Sequence, residues 1–124
     1  MNGLEALRDR LREFAKERDW DQFHSPKNLA MALSVEVAEL LEHFQWLTQD
    51  ESKTLDGKTQ AAVADEIADV QVYLIRLADK LGVDILASVE NKMKKNEAKY
   101  PADKVRGSSK KYSEYRNEND IDKE

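Results

Sequence analysis

The chain has 124 residues, of which 40% are hydrophobic and 36% are charged, and its formal net charge is −5 at pH 7. This length and composition suit one compact domain with a modest core. The sequence contains no cysteine and no apolar run near the ~20 residues of a membrane span, so we expect a cytoplasmic protein without disulfides or a membrane partner. With two histidines and no cysteine, any metal site is expected to use oxygen ligands rather than a zinc or iron–sulfur set.

The charge is distributed unevenly along the chain. Residues 92–111 contain eight Lys or Arg side chains against Glu97 and Asp103, which leaves 12 basic and 23 acidic side chains elsewhere. An acidic body of this kind argues against a nucleic-acid partner, although a small polyanion could bind where the acidic and basic parts meet. A solvated charged helix followed by a solvated tail is the alternative interpretation of the same pattern.

Hydrophobic periodicity predicts an all-α four-helix bundle. The first helix carries an apolar stripe at Leu4, Leu7, Leu11 and Phe14. Ser25 and Pro26 supply an N-cap and a proline at the first helical position of the second helix, which is predicted to run to about Leu47. Its stripe consists of Leu29, Leu33, Leu40, Phe44 and Leu47.

A polar loop is predicted over residues 48–58, before the third helix. That helix has a stripe at Val63, Val70, Leu74, Leu77 and Leu81 and ends at Gly82. Asp84 is a candidate cap for the fourth helix, which Pro101 terminates. We therefore predict a helical domain over residues 1–101 and a polar, flexible tail over residues 102–124.

The second and third helices share an acid-x-x-acid pattern, with Glu36 and Glu39 in one and Glu66 and Asp69 in the other. Positions three apart lie on one side of a helix, so each pair converges beside the apolar stripe. No Lys or Arg stands three or four positions away from any of the four acids. Two such helices packed together would bring four carboxylates to one place, where a divalent cation such as Mg²⁺, with Mn²⁺ as an alternative, would balance their charge.

Two other interpretations of these acids stay open. Acid-x-x-acid is common on solvated helices of a highly charged chain, which would make the acids surface groups. A di-iron bundle would require Glu-x-x-His motifs, and although His43 follows Glu39 by four positions, neither helix has that spacing.

Several other side chains fit a nucleotide around such a metal. Tyr73 lies on the carboxylate side of the third helix, while Lys92, Asn96 and Tyr100 form one line on the fourth. Trp20, His24 and Trp46 flank the second helix and could stack on a base. Core packing for the tryptophans, helix entry for His24 and solvation for Lys92 are the alternatives.

The ordered segments ERDWDQFHSPKNLAMALSVEVAELLEHFQW, DEIADVQVYLIRLADKLGVDI and KMKKNEAKYP resemble the all-α nucleoside triphosphate pyrophosphohydrolases, the MazG-like family, and most closely its dCTP pyrophosphatase branch. The likeness extends from Leu4 to Tyr112. It implies Mg²⁺-dependent hydrolysis of a nucleotide between the α- and β-phosphates, for cleansing of the nucleotide pool, by a homodimer or homotetramer in which neighbouring subunits complete the site.

Carried over by motif, the resemblance assigns the metal to Glu36, Glu39, Glu66 and Asp69. It assigns the base and sugar to Trp20, His24, Trp46 and Tyr73, and the phosphates to Lys92, Asn96 and Tyr100. In the mechanism that we expect, Glu36 or Glu39 orients the attacking water or accepts its proton.

Two positions depart from the family pattern. Val37 stands where close relatives often have glycine, and Leu11 stands where some have a base-contacting histidine, which leaves the base preference open. A non-catalytic helical interaction or assembly module with solvated acids is the competing functional class.

Overall fold

The computed structural model describes residues 2–107, and within that range every regular element is helical. This confirms the predicted all-α class. The α-helices are α1 (Gly3–Glu17), α2 (Pro26–Glu42), α3 (Gln49–Ser52), α4 (Gly57–Lys80), α5 (Ile85–Lys99) and α6 (Ala102–Val105), and a 3-10 helix spans Asp21–Phe23. The described chain divides into two compact units, one ending at Ile85 and the other beginning at Leu86.

The four predicted helices correspond to α1, α2, α4 and α5. Ser25 caps α2 as expected, because its side chain accepts a hydrogen bond from the backbone N–H of Asn28 and Pro26 follows at the first position. Helix α4 begins in the same way, with the side chain of Asp56 accepting from the backbone N–H of Thr59. Both caps fix where the two acid-bearing helices start.

The predicted end of the second helix at Leu47 is wrong, since α2 ends at Glu42. From His43 onward the backbone forms turns, in which Phe44 N–H bonds to the Leu41 carbonyl at 2.9 Å and Leu47 N–H to the Phe44 carbonyl at 2.9 Å. Bonds spanning three residues tighten a chain beyond the α-helical pitch, so the helix stops. The apolar residues after Glu42 continue the hydrophobic pattern without continuing the helix.

The segment predicted as a polar loop contains the one-turn helix α3. Thr48 and Glu51 form a capping box: the Thr48 side chain accepts from the Glu51 backbone, and the Glu51 carboxylate accepts from the Thr48 backbone at 2.9 Å. Helix α6 likewise lies within the residues predicted as a tail. Residues 108–124 of the predicted tail lie outside the described residues, so the flexibility of the tail stays a prediction.

Helix α2 packs chiefly on α4, and α1 packs on α4 and on the 3-10 helix. Few side chains of this unit are buried. The apolar ones are Ala15, Leu29, Val63, Ile75 and Ala78, and Arg76 is buried as well. Several large apolar side chains of the same unit stay exposed, among them Met31 at 57% and Leu41 at 59%. No helix in the described range has the length and hydropathy that a bilayer crossing requires.

Helices α1 and α4 end in the same backbone motif, with one residue in the left-handed region. At the end of α4 this residue is Gly82, with φ 67°, and the Val83 N–H bonds back to the Ala78 carbonyl at 2.8 Å. At the end of α1 it is Asp19, with φ 52°, and the Trp20 N–H bonds back to the Ala15 carbonyl at 2.9 Å. The motif after α1 therefore sets the position of Trp20.

The end of α4 gives a prediction about stability. A Cβ at Gly82 would meet no atom within 4 Å, so the effect of Gly82→Ala comes from backbone conformation alone. We expect a loss of about 1 kcal/mol in the free energy of unfolding, because an L-residue is disfavoured at positive φ. Gly57→Ala, in equally open space at the start of α4, is the control and should not be destabilised. Equal urea midpoints for the two variants would contradict this account.

Candidate functional site

Three of the four predicted metal ligands lie together between α2 and α4. Each of Glu36, Glu39 and Glu66 offers one carboxylate oxygen, and these oxygens all lie within 4.8 Å of one another. The α2–α4 contact therefore brings together acids that are about 30 positions apart, as the paired motifs predicted. We call these three residues the acidic cluster.

Part of the acidic cluster is buried and unpartnered within residues 2–107. The Oε2 atoms of Glu36 and Glu66 are buried, and neither has a hydrogen-bond partner in the described chain. The pKa of Glu36 is raised to about 7, first by burial and then by the adjacent carboxyls of Glu66 and Glu39 and the charge of Asp69. A carboxylate that loses hydration beside other carboxylates is unfavourable unless a cation or a proton compensates.

The geometry of the acidic cluster fits a small divalent cation. Mg²⁺ binds oxygen at about 2.1 Å, so two ligands on opposite sides of the ion are about 4.2 Å apart. The carboxylate oxygens already lie within 4.8 Å, so small side-chain rotations would bring them to that separation. The buried oxygens of Glu36 and Glu66, which have no hydrogen-bond partner, are then the natural ligand atoms for the cation.

Asp69, the fourth predicted ligand, lies at the edge of the acidic cluster rather than within it. It is not among the three residues whose oxygens lie within 4.8 Å of one another, although its charge contributes to the raised pKa of Glu36. Asp69 also lines a cavity of about 480 Å³. The same side chain thus belongs to the neighbourhood of the acids and to the wall of a cavity large enough for a small molecule.

The cavity wall combines aromatic and apolar side chains with a few polar groups. It contains three of the four residues predicted for the base and sugar, Trp20, His24 and Tyr73. The other lining residues besides Asp69 are Leu7, Arg10, Leu11, Phe14, Ala15, Val72 and Arg76. Trp20 meets Phe14 edge to face, with ring centroids 5.7 Å apart, and is 45% exposed. Trp20 is therefore not a core anchor, and part of its surface is free.

Four ionic side chains near the cavity were not predicted from the sequence. Arg76 is 4% exposed, and its guanidinium donates to the Asp21 carboxylate at 3.0 Å and lies 3.7 Å from the Asp79 carboxylate. Asp79 also accepts two hydrogen bonds from Arg12 on α1. The spacing of Arg76 and Asp79 on one side of α4 was a local signal, but Asp21, which binds Arg76 from 55 positions away, could not be inferred from periodicity.

The remaining predicted site residues do not line the cavity. Trp46 is 86% exposed, which excludes core packing for it in this chain. Lys92, Asn96 and Tyr100 belong to the unit that begins at Leu86, where they follow one another along α5 and its C-terminal end. Leu11, at the position of the departure from the family pattern, is a wall residue of the cavity.

The raised pKa of Glu36 gives a prediction for the metal-free protein. A carboxyl whose folded pKa exceeds its ordinary value of 4.5 binds more protons in the folded state, so its contribution to stability decreases as the pH rises from about 4.5 to about 7. We expect Glu36→Gln to remove this decrease and to melt above wild type at pH 8 in the presence of a chelator. Glu42→Gln, on the same helix outside the acidic cluster, is the control. Parallel melting curves for wild type and Glu36→Gln across this pH range would contradict the prediction.

The chain is similar to proteins of known name over most of its length. The sequence profile of the MazG-like family matches residues 31–115. dCTP pyrophosphatase 1 of Homo sapiens is 46% identical over 113 residues, which cover 90% of this chain and 66% of the human protein. The Bos taurus protein of the same name is 42% identical over 113 residues, covering 90% of this chain and 67% of that protein. The chain thus spans about two thirds of the length of these relatives.

A solved structure supports the same relationship. The crystal structure of a pyrophosphatase from Archaeoglobus fulgidus DSM 4304 superimposes with a TM-score of 0.76 at 46% identity, over 82% of this chain and 94% of the archaeal one. The profile match includes both acid-x-x-acid motifs, most of α2 and the whole of α4. The chain belongs to the MazG-like family.

Proposed function

We propose that this protein hydrolyses a nucleoside triphosphate between the α- and β-phosphates, giving a nucleoside monophosphate and pyrophosphate, with Mg²⁺ or Mn²⁺ bound by the acidic cluster together with Asp69. The observation that carries the proposal is the position of Asp69, which lies beside the acids and also in the wall of the aromatic cavity. A nucleotide has a metal-binding triphosphate joined to an apolar base, so it matches a metal site that adjoins such a cavity.

The names of the relatives support a pyrimidine deoxynucleotide as the first substrate to test. Proteins at 42–46% identity are named dCTP pyrophosphatase 1. Leu11 in the cavity wall offers no hydrogen bond to a base, so discrimination between bases falls to the polar groups of the same wall. We propose a dCTP-like substrate and a role in cleansing the cytoplasmic nucleotide pool.

In the proposed reaction the protein binds the nucleotide and the metal, orients the attacking water and accepts a proton. Trp20 and Tyr73 contact the nucleoside, and the carboxylates of Glu36, Glu39, Glu66 and Asp69 hold the metal. The metal, when bound, supplies positive charge to the triphosphate and helps the attacking water to ionise. Glu36 or Glu39 orients that water or accepts its proton, and pyrophosphate leaves without a protein nucleophile.

The proposal also includes a phosphate-binding role for α5. Lys92 and Asn96 are one helical turn apart and Tyr100 follows four positions later, so a cation, an amide and a phenol succeed one another along one line. Lys92 is exposed, and an ammonium with an amide suits phosphate oxygens.

We further propose that the active form is a homo-oligomer, a dimer or a tetramer. The exposed apolar side chains of α2, Met31 and Leu41 among them, are typical of a surface that another chain covers. Trp46 is largely exposed and does not line the cavity of the single chain. In an assembly in which a neighbouring copy completes the site, Trp46 is available to stack on the base.

The proposal is tested by assaying release of pyrophosphate from a panel of nucleoside triphosphates with and without Mg²⁺. We expect metal-dependent release from wild type and none from Glu39→Gln, which should still fold because mutual repulsion among the carboxylates is relieved. Glu42→Gln is the matched control and should retain activity. If wild type releases no pyrophosphate from any nucleotide, the protein is not this enzyme and a helical interaction module becomes the better assignment.

The role of Trp46 gives a separate prediction. Trp46→Ala should raise KM roughly tenfold, since stacking of a base on an aromatic ring contributes ~1–3 kcal/mol, and its Tm should equal that of wild type because the side chain is 86% exposed. Trp46→Phe keeps a ring and should recover most of the affinity. A mass equal to that of one chain in sedimentation equilibrium, together with an unchanged KM in Trp46→Ala, would remove both the oligomer and this role.

A further inference from the structure

Arg76 is buried against His24, with which it shares the wall of the cavity. The Arg76 Nε lies 3.3 Å and its Nη2 3.1 Å from His24 Nδ1. A guanidinium carries only donors and keeps its charge at any physiological pH, so Nδ1 must be the acceptor of this contact. An imidazole that accepts at Nδ1 is neutral and carries its single proton at Nε2.

The charged groups around His24 favour the same neutral state. Burial lowers the pKa of His24, and the positive charges of Arg76 and Lys80 lower it further, while Asp21 opposes them. Asp21 is itself shared between the two cations, because it accepts from Arg76 at 3.0 Å and from Lys80 at 2.5 Å. Asp21 raises the pKa of His24, but burial and the charge of Arg76 are the larger effects, and both lower it.

We propose that Arg76 is a positioning residue that holds His24 as its Nε2–H tautomer, so that His24 donates a hydrogen bond to an acceptor oxygen of the nucleoside in the cavity. The inference rests on the proposed function for the identity of the ligand, but the tautomer itself does not depend on activity. A fixed donor in a wall that is mainly apolar and aromatic selects ligands that place an oxygen opposite it.

The surrounding ion pairs make Arg76 replaceable without loss of the fold. In Arg76→Met, Asp21 keeps its hydrogen bond to Lys80, and Asp79 keeps its bond to Arg12 at 2.7 Å. Removing one partner of an ion pair is damaging when it leaves a buried charge without a counter-charge. In Arg76→Met, both carboxylates keep a basic partner. Methionine fills much of the volume of the arginine stem.

The first measurement is the tautomer of His24 by ¹⁵N NMR in metal-free, nucleotide-free protein. The chain has two histidines, so His43 is an internal reference in the same spectra. We expect the Nε2–H form in wild type, a mixture of tautomers in Arg76→Met, and recovery in Arg76→Lys, which also presents only donors. Lys80→Met removes the other cation on Asp21 and should leave the tautomer unchanged. A predominant Nδ1–H form in wild type would overturn the inference.

The second measurement is the Kd of an α,β-methylene nucleoside triphosphate, which can be determined whether or not the protein hydrolyses nucleotides. Loss of one hydrogen bond should raise the Kd about threefold to tenfold in Arg76→Met, with kcat on the hydrolysable nucleotide little changed and with no effect in Lys80→Met. An unchanged Kd in Arg76→Met would contradict the positioning role even if wild type is active. Absence of hydrolysis with a retained Kd difference would instead refute only the proposed function.

Two analogues identify the acceptor oxygen. One lacks the sugar 3′-hydroxyl, and the other carries sulfur in place of a base carbonyl oxygen. The Kd penalty of Arg76→Met should disappear with the analogue that lacks the oxygen contacted by His24. Persistence of the full penalty with both analogues would show that Arg76 acts by another route and would overturn the proposal.

Discussion

The main physical constraint on the unit that ends at Ile85 is the repulsion between carboxylates that the packing of α2 on α4 brings together. Packing of α2 on α4 buries Leu29 and Val63, and the same contact places Glu36 and Glu66 side by side with buried, unpartnered oxygens. Hydrophobic burial and carboxylate repulsion therefore oppose each other at a single helix interface. A cation in the acidic cluster would offset the repulsion, which is why we propose that these two helices bind a metal.

Several basic side chains of this unit form ion pairs away from the acidic cluster, at the 3-10 helix and the C-terminal part of α4. Arg76 is shared among Asp21, Asp79 and His24, and Arg12 reaches Asp79 from α1. These contacts tie α1 and the 3-10 helix to α4 and so fix the cavity wall. Arg12, Arg76 and Lys80 are bound to Asp79 or Asp21, so the charge of these three side chains is balanced away from the acidic cluster.

Short-range sequence signals predicted much of this arrangement. Ser25 and Pro26 marked the start of α2, Gly82 marked the end of α4, and the repeated acid-x-x-acid spacing placed Glu36 and Glu66 at one helix interface. Trp20, His24 and Tyr73 were predicted from the family resemblance to form one pocket, and they line one cavity.

Other features could not be predicted, because they depend on contacts between distant parts of the chain or on local backbone bonding. The end of α2 at Glu42 follows from turn hydrogen bonds that hydrophobic periodicity does not encode, since Phe44 and Leu47 keep the apolar pattern. The hydrogen bond between Arg76 and His24 joins positions 52 apart. In the sequence, an arginine beside apolar residues predicts an exposed side chain rather than a buried one. Long-range ionic pairing of this kind requires the fold to be known first.

A divalent cation among Glu36, Glu39 and Glu66 is the central feature that we propose, and anomalous scattering from crystals grown with Mn²⁺ tests it most directly. We expect a manganese peak at bonding distance from carboxylate oxygens of Glu36 and Glu66, and loss of that peak in Glu36→Gln. Manganese bound only elsewhere on the protein, with the acidic cluster occupied by water and protonated carboxyls, would contradict it.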